Sequence, residues 1–179
     1  CGELEVARSV LERALRSRTG GRGAAPRHLL LLGWIALARG TVAAARAALT
    51  GVGRDLEPRD EVLAAALEVA IARRTGDLAA LMPAWGRARE AVVRHPVDLY
   101  MLHELGELAI AATRLREPSW VAPHLAEADA LLARLGDPPL WAAPLHWGRL
   151  QAAILAEDRE EAARHAAALE RAAGGSRYA

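Results

Sequence analysis

Gly2, Gly40 and Gly76 each stand just ahead of an alanine-rich amphipathic stretch, and the residues behind the first two agree at matching offsets. Gly2 is followed by Ala7, Arg8 and Leu11, and Gly40 by Ala45, Arg46 and Leu49. Recurrence of this kind marks a helical repeat. A unit of two helices and roughly 34 to 41 residues cannot bury its apolar face alone, so neighbouring units must stack and leave a concave inner surface free to bind. The expected fold is all-α: a right-handed α-solenoid of about nine helices in antiparallel pairs, with residues 1–179 forming a single helical-repeat domain.

Punctuation agrees with that register. Pro26, Pro58, Pro96 and the pair Pro138 and Pro139 each precede or open the first helix of a pair, where proline costs no intrahelical bond. The spacing predicts helices near residues 3–18, 27–39, 42–52, 59–75, 77–94, 97–115, 119–135, 140–156 and 159–173. Pro123 and Pro144 are expected to shift two helix starts and Pro83 to kink its helix, and residues 19–25, with three glycines, read as a mobile loop. No alternating apolar pattern signals a strand.

Composition narrows the function. The chain has 23 basic and 22 acidic side chains, a net charge of +1, so it carries no field for nucleic acid and none for basic partners. Every basic residue is arginine, and lysine, asparagine and phenylalanine are absent, a usage that points to a GC-rich genome filtering codons. The lone Cys1 cannot form an internal disulfide, which points to a reducing, cytoplasmic setting. The longest apolar run, residues 29–38, is about half the ~20 residues needed to span a bilayer, so a buried helix and no membrane contact are expected. Without an initiating Met, and with residues 2–15 already reading as the second helix of a repeat, the chain is expected to be a fragment of a longer protein.

The repeats themselves resemble the tetratricopeptide pattern. Leu29, Leu32, Gly33, Ala36, Gly40, Ala45 and Leu49 meet it in full, and Leu102, Leu105, Gly106 and Ala109 meet its first half. Trp147, Leu150, Gln151, Ile154, Asp158 and Ala163 follow it with Gln and Asp in the glycine slots, which places Trp147 in a core position. The unit ending at Gly76 is degenerate, with Val69 in the small slot and Leu81, Trp85 and Ala88 down its second helix. Small residues are required because a glycine or alanine at a crossing lets two helix backbones approach.

Residues 102–178 further resemble the helical sensor region of large ATP-dependent LuxR-type transcriptional regulators of actinobacteria, similar in layout to maltose-operon activators. The likeness rests on "LHELGELAIAATRLRE", "PHLAEADALLARLGDPPLWAAPLHWGRLQAAILAED" and the closing "AALERAAGGSRYA". It implies a module that binds a small-molecule inducer, an oligosaccharide or disaccharide, and passes the signal to other domains of a parent regulator. ATP hydrolysis and DNA binding would lie elsewhere, since the chain has no lysine for a phosphate-binding loop and no base-reading helix.

The repeat register aims Arg27 and Trp34, Arg73 and Arg74, and Tyr100, His103 and Glu107 into the groove. An indole, a phenol, an imidazole, a carboxylate and guanidinium groups suit a polyhydroxylated or anionic small molecule. Trp141, near Pro138 and Pro139, is expected to close one end, with His146 beside it, so the candidate ligand-binding set is Trp34, Arg73, Tyr100, His103, Glu107, Trp141 and His146. His103 and Glu107 have ligand spacing but lack a third partner, so no metal and no cofactor is expected. No serine has an elbow motif and no carboxylate pair is placed for acid–base work, so an enzyme is not expected, though a role as an enzyme's cap domain stays open. The alternative is a protein-interaction scaffold whose groove grips a peptide or a sister subunit, with self-association as its simplest form.

Overall fold

In the computed structural model, residues 2–17, 26–53 and 56–174 are described, and every regular element among them is helical. They are α1 (Gly2–Ser17), α2 (Pro26–Ala38), α3 (Val42–Thr50), α4 (Pro58–Thr75), α5 (Leu78–Val93), α6 (Leu102–Arg114), α7 (Pro118–Arg134), α8 (Pro139–Leu155) and α9 (Arg159–Gly174), with a 3-10 turn at Leu99–Met101. Among the described residues no helix is long and apolar enough to cross a membrane. The glycine-rich stretch 19–25 and Cys1 lie outside the described residues.

Eight of the nine helices start and end within two residues of their expected bounds. The ninth, α6, starts late because the Asp98 side chain accepts the Tyr100 N–H at 2.9 Å and nucleates the 3-10 turn ahead of it. Pro123 and Pro144 do not shift the starts of α7 and α8, which open at Pro118 and Pro139 and run through the later proline. Pro83 likewise lies within α5.

Helix ends follow one pattern. At Gly40, Gly76 and Gly136 the backbone turns left-handed, and the next N–H reaches back to the helix: Thr41 to Ala36 O at 2.8 Å, Asp77 to Ala72 O and Asp137 to Leu132 O at 3.0 Å. After α6 and α8 the same bond forms, Glu117 to Ala112 O at 2.8 Å and Asp158 to Ala153 O at 3.0 Å, but the left-handed residues are Arg116 and Glu157. A side chain there costs about 1 to 2 kcal/mol that glycine would not.

The helices gather into two compact units, Cys1–Ala91 and Val92–Ala179. In the first, α2 packs on α3 and α4, with α1 against α2. Gly33 makes this possible, since a methyl there would sit 2.8 Å from Leu67 Cδ2 and 3.3 Å from Ala48 Cβ. Leu30, Leu37, Ala66, Leu67 and Val69 are fully buried, and Trp85 joins this core. Arg27 donates through Nε to the buried Asp60 at 2.7 Å, and Arg74 donates to the Leu37 carbonyl at 2.9 Å, so both tie α4 to α2.

In the second unit α6 packs on α7 and α8, and α9 covers α8. Gly106 is buried where α6 meets α8, as its small-residue slot requires. Its partner is Gly148: a methyl built on Gly148 would lie 2.5 Å from Gly106 O and nearer still to Gly106 Cα. The α8 register therefore differs from the expected one by a turn. Gly148, not Gln151, occupies the crossing, and the buried stripe is Ala142, Leu145, Gly148 and Ala152. Trp147, expected in the core, faces away and is 56% exposed.

Candidate functional site

The seven candidate residues divide between the units, Trp34 and Arg73 in the first and the other five in the second. Trp34 is only 8% exposed, packed in α2 between the buried Leu30 and Leu37 turns, so its indole is part of the core. Arg73 is half-buried near the end of α4.

In the second unit, Tyr100 on the 3-10 turn is 59% exposed, and its ring meets Trp141 of α8 edge-on, with centroids 5.0 Å apart and planes at 79°. This geometry sets the positive ring edge of one partner against the negative face of the other. Pro138 and Pro139 open α8 and so bring Trp141 into its first turn. His103 is also exposed, with Nδ1 3.8 Å from Glu104 Oε1. Glu107, placed on the same face by spacing, is instead buried at 8% exposure. Glu104 is buried as well, and its Oε2 makes no hydrogen bond. In the sequence Glu104 and Glu107 resemble an acid–base pair only by proximity, and their spacing does not reveal that both are buried.

His146 points elsewhere. Its Nδ1 lies 3.1 Å from Nδ1 of His165 on α9, a residue 3% exposed that the sequence reading passed over. His165 Nε2 stands 3.3 Å from Glu161 Oε2. The tautomer compatible with both contacts protonates His165 at Nε2 and lets its Nδ1 accept from His146 Nδ1–H. Arg149, which donates to both Asp129 oxygens at 2.6 Å, and Arg164, paired with Glu161, bring positive charge to the pair. Among the described residues no cluster of three metal-ligating side chains occurs.

Burial first, then the charges of Arg149, Arg164 and His146, holds His165 down to about 4 from its ordinary 6.5, with Glu161 opposing. His146 is lowered too, by burial and then Arg149, against Asp129 and Asp137. The unfolded chain thus takes up a proton at residue 165 well before the folded chain does. Stability from this site is whole above 6.5 and is lost as the pH falls toward 4. Urea unfolding from about pH 7.5 to about pH 5 should show a loss on the order of 2 kcal/mol, over a range where few carboxylates titrate. His165→Gln should flatten that slope; a slope unchanged in the variant would place its origin elsewhere.

No family model, curated protein or solved structure matches the chain. Among its described residues the protein is all-helical, and its second unit carries a ring pair in which Tyr100 is exposed and Trp141 part-buried.

Proposed function

We propose that this chain is a ligand-sensing module built as a tetratricopeptide-like right-handed solenoid, serving in the cytoplasm within a LuxR-type regulator and binding a small polar inducer such as an oligosaccharide. The repeat reading is supported by the order of contacts. Within each unit the first helix of one pair packs on the first helix of the next, α2 on α4 and α6 on α8, while α3, α7 and α9 pack beside their own partners.

The observation that carries the binding reading is the Tyr100–Trp141 pair. The exposed Tyr100 ring, backed by the part-buried Trp141 indole, offers an apolar surface on which a sugar ring can stack, and the exposed His103 imidazole supplies a hydrogen-bonding group for hydroxyls. Ligand binding that orders the start of α8 against the 3-10 turn would bias a switch in the parent protein. Titration with a panel of oligosaccharides, read by calorimetry, tests this. Tyr100→Ala and Trp141→Ala should each weaken binding by ~1 kcal/mol or more and leave the fold intact. Affinity unchanged in both variants would remove the site from this pair.

The interaction-scaffold reading is favoured by a different observation. Leu140, Trp147 and Ile154 recur every seventh residue along α8 and are 76%, 56% and 56% exposed, an apolar stripe of the kind that docks a sister subunit. Light scattering across a concentration series separates the two readings, since a sensor module need not self-associate.

A further inference from the structure

The first unit contains a crevice of about 180 Å³ between α3, α4 and α5, separate from the aromatic pair of the second. Its apolar lining is Leu49, Ile71, Ala72, Ala80 and Ala84. The space exists because Ala72, Ala80 and Ala84 are too short to fill it, and its floor is apolar, with Ile71, Ala72 and Ala84 buried. A cavity of about 150 Å³ lined by apolar side chains takes up benzene, so one ring or one branched aliphatic body fits.

The rim decides what else the occupant carries. Arg46, Glu68 and Arg87 stand there. Glu68 accepts from Arg87 through Nε at 2.8 Å and through Nη2, so these two charges neutralise one another. Arg46 is exposed, and its guanidinium makes no hydrogen bond or ion pair among the described residues. A guanidinium at the mouth of an apolar crevice, with no acidic partner among the described residues, matches one carboxylate on an apolar body, because its fork pairs with both oxygens. Polyhydroxylated ligands suit the crevice poorly, since its floor has no groups to replace their bonds to water.

We infer that the α3–α4–α5 crevice binds a small monocarboxylic acid with a single ring or branched apolar body. The site is independent of the oligosaccharide reading. The test uses the full chain and benzoate as probe, with benzyl alcohol to remove the charge and acetate to remove the body, followed by saturation-transfer and chemical-shift NMR. Benzoate should bind saturably in the millimolar range, and each of the other two about tenfold more weakly or worse. Arg46→Gln should weaken benzoate about tenfold with no change in melting temperature, because the residue is exposed. Ala80→Leu should abolish benzoate binding by filling the crevice, and Tyr100→Ala should leave it untouched. Absence of saturation, equal binding of benzyl alcohol, or full affinity in the Arg46 variant would overturn the inference.

Discussion

Gly148→Ala should destabilise the protein by about 3 kcal/mol or more, an unusually large effect for one methyl group. At most helix contacts an added methyl meets a side chain that can rotate away. Here it meets Gly106 Cα, C and O, which belong to the backbone of α6 and can move only if the whole helix moves. Separating α6 from α8 would in turn open the contacts of Leu105, Leu145 and Ala152, so the loss spreads beyond the crossing. Gly86→Ala provides the contrast. That glycine is also helical, but nothing lies within 4 Å of its missing methyl, and the change should stabilise by up to about 1 kcal/mol through helix propensity. Urea midpoints of the two variants against wild type decide it. Similar midpoints for both would show that the α6–α8 crossing is looser than described.

Trp34→Ala should cost about 3 to 5 kcal/mol, whereas Trp147→Ala should change stability by no more than about 0.5 kcal/mol. The two indoles exchange the roles that the repeat pattern assigns them. Trp34, aimed by register into a groove, is nearly buried in α2, and removing it would leave a void beside Leu30 and Leu37. Trp147, given a core slot, is more than half exposed, since its step around α8 from Gly148 turns it out of the crossing. Thermal melts of the two variants test the exchange, and a Trp34→Ala protein with the wild-type midpoint would return that side chain to the groove.

These two tryptophans also show where sequence reasoning held and where it stopped. Helix spans were legible because the apolar period and the opening prolines are local properties, readable without knowing what packs where. The turns after α2 and α4 were legible for the same reason, since Gly40 and Gly76 advertise a left-handed backbone. Arg116 and Glu157 adopt that backbone without advertising it, so the turns after α6 and α8 lacked a glycine signal. The register of α8 was misread because the largest residue, Trp147, was weighted over the smallest, Gly148, although close backbone approach is governed by the smallest. Site geometry was legible only in part. Tyr100 and His103 are exposed, but Tyr100 lies in a 3-10 turn, and the helical step that placed Glu107 beside them says nothing about what covers Glu107. The His146–His165 contact joins two helices nineteen residues apart, beyond the reach of any spacing rule.

Pro144 gives the aromatic pair a mechanical property. Proline carries no N–H, so residue 144 cannot donate to the carbonyl of Leu140, and the opening turn of α8 is fastened to the rest of the helix by one backbone bond fewer. Trp141 rides on that turn, while Tyr100 sits on the short 3-10 segment before α6. The missing bond falls between the turn that carries Trp141 and the glycine crossing, where the Pro144 carbonyl would lie 3.0 Å from a methyl built on Gly106. Under the proposed function, this loosened turn is the part of the second unit that would yield first as a ligand meets the two rings.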